Sequence, residues 1–174
     1  MINLEQGAEE QEVEKKQISI REGKRKIDRN VNTELIVKIF RALIIDDRDL
    51  LEPYYGPSYY RVMARAHETE EYGTIVVKGF IGRYIMFNKE LVIPLESHAQ
   101  YLYIELVKGA SWRDPGTYNG TVVMGRAKIR LPSPTSLRAI SGVVELVGLN
   151  SDRCVVKKGV LEYSMKLHRY VQEV

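Results

Sequence analysis

Phe87-Asn88-Lys89-Glu90-Leu91-Val92-Ile93-Pro94-Leu95 is the stretch that decides the fold. An aromatic-Asn pair opens an apolar strand. Gln100-Tyr101-Leu102-Tyr103-Ile104-Glu105-Leu106 follows, with apolar side chains on alternate residues. Gly125-Arg126-Ala127-Lys128-Ile129-Arg130-Leu131 alternates in the same way. Successive side chains of a strand point to opposite faces, so each alternating segment reads as a strand with one buried and one wet face.

Residues 34–43 are apolar and β-branched, 59–67 alternate, and 74–78 are Thr-Ile-Val-Val-Lys between Gly73 and Gly79. Segments 91–95, 101–107, 122–131, 143–147 and 160–168 complete a set of about eight strands. In the last, Leu161, Tyr163, Met165 and Leu167 face one side, and Glu162, Ser164, Lys166 and His168 the other. Turn formers separate the segments: Pro53, Gly56-Pro57, Gly82, Pro132-Ser133-Pro134 and the run from Gly148 to Asp152. The expected fold is all-β, an eight-stranded antiparallel β-sandwich over residues 33–174.

Residues 1–32 differ. Glu5 to Glu14 is acidic, and Arg21, Lys24, Arg25, Lys26 and Arg29 form a basic cluster. So few apolar residues cannot offset the entropy of ordering the chain, and a charged, flexible tail is expected. It is either simply solvated or a basic arm toward an anionic surface.

Composition narrows the class. A chain of 174 residues suits one domain plus a tail. The single cysteine, Cys154, excludes an internal disulfide and fits a reducing compartment. No apolar run approaches the ~18 residues of a membrane span. Met1-Ile2-Asn3-Leu4 turns acidic at once, unlike a secretion signal, and Ile2 stands where myristoylation needs Gly. A net charge of +3 is too mild to identify a partner.

The order of the motifs resembles the C2 domain. There a (Trp/Phe)-Asn-Glu turn, an alternating strand and an (Ile/Leu)-Gly-x-(Ala/Val)-x-(Ile/Leu) strand follow one another. Pro57-Ser58-Tyr59-Tyr60-Arg61-Val62 stands where that family has Asp-Pro-Tyr-Val-Lys-Val. Thr74-Ile75-Val76-Val77-Lys78-Gly79 matches its next strand and turn, and Lys158-Gly159 precedes its last. The likeness spans residues 33–170 and implies a C2-like sandwich that binds membranes or proteins without doing chemistry.

The resemblance also implies where calcium ligands would lie. A hard cation needs several oxygen ligands together. Asp46, Asp47 and Asp49 offer carboxylates in the first loop. The Asp of Asp-Pro-Tyr, however, is replaced by Pro57 or Ser58. Lys108-Gly109-Ala110 stands where the family has Asp-x-Asp, leaving only Asp114 nearby. No metal is expected, and the loop aspartates read as turn residues.

Calcium-independent members of the family bind anionic lipid on a lysine-rich concave face. By alternation Arg61, Arg65 and His67 share one strand face, and Lys78 lies on the neighbouring strand. These are the candidate lipid-binding residues, because guanidinium and ammonium groups suit phosphate. Arg126, Lys128 and Arg130 form a second basic stripe. Either stripe is a binding surface or a solvated face balanced by carboxylates such as Glu105 and Glu162. Tyr54, Tyr55, Tyr59 and Tyr60 read as packing or as interface anchors, and Trp112 as an exposed loop-tip aromatic.

Enzymatic signals are missing. His67, His98 and His168 are scattered, and Cys154 reads as a buried strand thiol. There is no phosphate loop, dinucleotide turn or Gly-x-Ser-x-Gly. The expectation is a non-enzymatic, cofactor-free, calcium-independent module, cytoplasmic and peripheral to membranes. It would dock on an anionic phospholipid membrane, a protein partner, or both. The alternative is a purely protein–protein adaptor. A nucleic-acid partner ranks last, because aromatic and basic residues interleave too weakly for a single-strand platform.

Overall fold

The computed structural model describes residues 30–45, 58–109 and 122–172. Among them all regular structure is extended. The strands are β1 (Val31–Ile44), β2 (Ser58–Arg65), β3 (Tyr72–Gly73), β4 (Val77–Gly79), β5 (Ile85–Leu95), β6 (Tyr101–Gly109), β7 (Val122–Arg130), β8 (Ile140–Leu149) and β9 (Val155–Val171). Val31–Tyr170 packs as one compact unit.

The hydrogen-bonded order is β3-β2-β6-β7-β8-β9-β1-β5, with β4 also on β2. Long antiparallel registers join β2 to β6, β6 to β7, β8 to β9, and β1 to β5. Between β7 and β8 the register holds only Arg126 opposite Val147. At that corner the sheet turns over into two layers, β3/β4-β2-β6-β7 and β8-β9-β1-β5. The expected antiparallel sandwich is therefore present.

The alternation places the core. Leu35, Val37 and Ile39 of β1 and Leu161, Met165 and Leu167 of β9 are buried. They pack in one cluster with Tyr60, Val62 and Ala64 of β2 and Leu102, Ile104 and Leu106 of β6. Tyr163 is partly buried against the cluster.

Three local expectations need correction. Residues 74–78 are not one strand, because β3 and β4 flank an interruption at 74–76. Thr74 turns inward, its N–H donating to Val62 O (2.9 Å) and its Oγ1 accepting the Val62 N–H (3.0 Å). A hydroxyl that bonds the neighbouring backbone displaces the ladder. Phe87-Asn88 does not open a strand but lies inside β5. Opposite it the β1–β5 register slips by one between Ile39 and Arg41, and Asn88 has φ 45°. Such an irregularity re-aims the chain, and the buried phase of β1 passes from Ile39 to Ala42 and Ile44. Cys154 is neither buried nor in a strand. It is exposed in the turn before β9, where its N–H donates to Asn150 Oδ1 (2.9 Å). Polar Asn150 and Asp152 close that turn and leave no apolar wall for a thiol.

Residues 1–29 of the tail lie outside the described residues. So do Tyr54 and Tyr55, Trp112, and the aspartates Asp46, Asp47, Asp49 and Asp114.

Candidate functional site

Paired residues of an antiparallel ladder share a face, so the registers decide which side chains lie together. Tyr59 of β2 pairs with Lys78 of β4, Arg61 with Val107 of β6, and Arg65 with Tyr103. Across β6, Tyr101 pairs with Arg130 of β7, Tyr103 with Lys128, and Glu105 with Arg126. Arg61, Arg65, Lys78, Arg126, Lys128 and Arg130 therefore all occupy the outer face of one layer. Between them runs β6, with Tyr101, Tyr103 and one carboxylate, Glu105. The two basic stripes of the sequence are one surface.

Its geometry is ordered by β6. Lys128 Nζ stands 4.0 Å from the ring centroid of Tyr101 and 5.8 Å from that of Tyr103. The Arg65 guanidinium lies 6.0 Å from the Tyr103 centroid, and the two rings are 6.4 Å apart. Ring faces attract cations while leaving their charge uncancelled. Glu105 engages Arg126 Nε at 2.8 Å, and Glu71 approaches Arg65 at 4.0 Å. The Arg61 Nε–H donates to Thr74 O (3.0 Å), and its guanidinium lies flat over Gly73, where a Cβ would fall 2.5 Å from Nη2. The bond to a neutral carbonyl fixes Arg61 without neutralising it.

Two expected members behave differently. His67 lies beyond the end of β2, not on the sheet face. Its Nε2 accepts the Glu96 N–H at 3.3 Å. The chain bends from Ala66 to Thr69, and the strand phase is lost there. Glu162 balances neither stripe. It bonds Arg41 Nε at 2.7 Å on the opposite layer, and that bond raises the Arg41 guanidinium further above its ordinary range.

The registers also place Ile45, Gly79, Gly109, Val122, Leu149 and Val155 at one end of the sandwich. Leu149 and Val155 are 60% and 69% exposed there. Lys108, the penultimate residue of β6, lies near this end, opposite Tyr60 and Val122. Lys158 is buried, its stem packed against Gly148. No feature of the sequence marks Lys158 as a buried lysine. Among the described residues no group of three His, Cys, Asp or Glu side chains is placed to hold a metal ion.

No protein-family model matches the sequence, and no curated protein sequence matches it. Solved structures do. A C2 domain-containing protein from a putative elicitor-responsive gene superposes with TM-score 0.55 at 18% identity, over 78% of this chain and 88% of that one. A C2 domain of plant extended synaptotagmin 1 gives 0.56 at 15% identity, over 80% and 96%. A structure of CC2D1B gives 0.50 at 13% identity, over 77% of this chain and 54% of that one. The layer order, the alternating core and these superpositions agree: the chain has a C2-type fold.

Proposed function

We propose that this domain is a calcium-independent, non-enzymatic docking module whose β4–β2–β6–β7 face attaches to anionic phospholipid surfaces on the cytoplasmic side of membranes. The observation that carries the reading is the convergence of six cations on one sheet face against two carboxylates, Glu105 and Glu71. Each cation near an anionic leaflet contributes ~1 kcal/mol, so several acting together give useful residence. Arg61 and Arg65 stand about 13–14 Å apart along β2, enough to engage separate phosphates. Exposed Leu149 and Val155 offer apolar side chains at one end of the same molecule. Calcium independence is supported by Lys108 near the end of β6, where the resemblance calls for aspartates.

Sedimentation with acidic vesicles over a salt series tests the reading. Binding should fall steeply as salt rises, because the Debye length contracts to ~3 Å at 1 M. Salt-insensitive association, or none, removes the membrane reading. The exposed Leu149 and Val155 then favour the adaptor reading, in which this end docks a protein partner.

A further inference from the structure

At the end of the sandwich opposite Leu149 and Val155, the basic face runs into an open depression lined by the Ala66–Thr69 bend, the β5–β6 turn and β6. Two imidazoles meet one carboxylate in it. Glu96 Oε2 lies 3.1 Å from His98 Nε2 and 3.8 Å from His67 Nδ1, and the two rings are edge-on at 6.4 Å. His67 is only 14% exposed and His98 is 79% exposed. We propose that this depression is a proton gate on membrane docking: charging of His67 and His98 adds two positive charges and makes it an anion-attracting extension of the basic face. The inference rests on the membrane reading above and names its regulation.

The change of charge follows from the lining. The ionised groups are one guanidinium, Arg65, and two carboxylates, Glu68 and Glu96. With neutral imidazoles the depression carries net −1, and with both charged, +1. The charged groups around its rim, Lys128, Arg130 and Glu71, add one positive charge, so the wider balance is 0 with neutral imidazoles and +2 with both charged. Tyr101 and Tyr103 line it from β6 as neutral phenols. Lys128 of β7 sits over Tyr101, Arg130 of β7 pairs with Tyr101, and Glu71 approaches Arg65. Imidazole is the side chain that charges between pH 8 and 5, the range that separates neutral from acidified compartments.

The hydrogen bonding supports a two-state arrangement. The Glu96 N–H donates to His67 Nε2 at 3.3 Å, so that nitrogen carries no proton in this state. Protonation there removes the bond. The uncharged form thus keeps this hydrogen bond, and the charged form lacks it. Continuity with Arg65, Tyr103 and Lys128 makes the membrane the occupant, because the depression opens onto the face that would lie on it.

The test is partitioning onto phosphatidylcholine vesicles containing one quarter phosphatidylserine, at pH 7.5, 6.5 and 5.5 and constant ionic strength. The intact chain should bind at least about tenfold tighter at pH 5.5 than at 7.5. The His67→Gln/His98→Gln variant should lose that rise. An equal rise in the variant overturns the gate and leaves the membrane reading standing. A flat profile for the intact chain overturns the gate too, and absence of binding at every pH overturns both. Two exposed single variants guard against misfolding. His98→Gln should lose part of the rise, and Glu96→Gln should bind severalfold tighter than the intact chain at pH 7.5. No change in either also overturns the proposal.

Discussion

On the β4–β2–β6–β7 layer the outward positions carry Arg61, Arg65, Lys78, Arg126, Lys128 and Arg130 against Glu105 and Glu71. On the β8–β9–β1–β5 layer they alternate in sign. Arg41 meets Glu162 at 2.7 Å, Glu145 meets Lys157 at 3.4 Å, and Lys38 sits opposite Glu90. Exposed pairs of this kind contribute ~0–1 kcal/mol each, so they do little for stability. What they do is cancel the field. The same alternation and the same core thus produce one electrostatically quiet face and one that keeps its positive potential, and the second is the face with capacity for a polyanionic surface.

The comparison assumes that both faces stand on one shared core. Ile104 is 1% exposed in the middle of β6, beneath the basic face. Ile104→Ala should lower unfolding free energy by ~2–5 kcal/mol in chemical denaturation. Near-normal stability would mean that the faces of β6 are exchanged and the basic surface is misassigned.

The faces themselves are separated by charge removal. Arg61→Gln, Arg65→Gln and Lys78→Gln together should lower partitioning onto acidic vesicles by ~3 kcal/mol, roughly a hundredfold. The matched triple Lys38→Gln, Lys157→Gln, Lys166→Gln on the quiet face should lower it by less than about threefold, because charges held away from the membrane are screened. Equal losses from the two triples would show that net charge, not the face, governs binding.

Close packing gives a sharper contrast. A Cβ on Gly159 of β9 would lie 2.3 Å from the Leu43 backbone oxygen, whereas the three atoms nearest to one on Gly73 all belong to the Arg61 side chain. Gly159→Ala should cost ~1–3 kcal/mol, because backbone cannot step aside. Gly73→Ala should change the melting temperature little, yet weaken vesicle binding by pushing the Arg61 guanidinium off its seat. A stability loss from Gly73→Ala as large as that from Gly159→Ala would make Arg61 a structural residue.

The smallest expected effect is that of calcium. Millimolar calcium should leave the melting temperature unmoved, since a ligand stabilises only what it binds. A clear rise that Asp47→Ala abolishes would restore a metal to the loop end and remove the need for a purely electrostatic face.

Much of this molecule is written locally. The alternation from Tyr59 onward correctly sends Tyr60, Val62 and Ala64 inward and Arg61 and Arg65 outward, and it does the same for Leu102, Ile104 and Leu106. A two-residue period is a property of the single strand, so the sequence alone assigns faces, and the order of its motifs points to the sandwich. The departures also have local physical causes, but ones that depend on a partner. Thr74 breaks its strand by bonding Val62 twelve residues away, and Asn88 enters the left-handed region where β1 changes phase. Neither partner can be read from a window of neighbouring residues.

What the sequence determined, then, is which side chains are buried and which are wet within each strand. Only the tertiary structure decided which wet faces adjoin. Arg61 and Arg126 belong to stripes far apart in the chain, and β6 joins them because it pairs with β2 on one side and β7 on the other. The same pairing of β2 with β6 brings His67 beside Glu96 and His98 of the β5–β6 turn. Strand order and register are non-local hydrogen-bonding choices, and a surface charge pattern is their product.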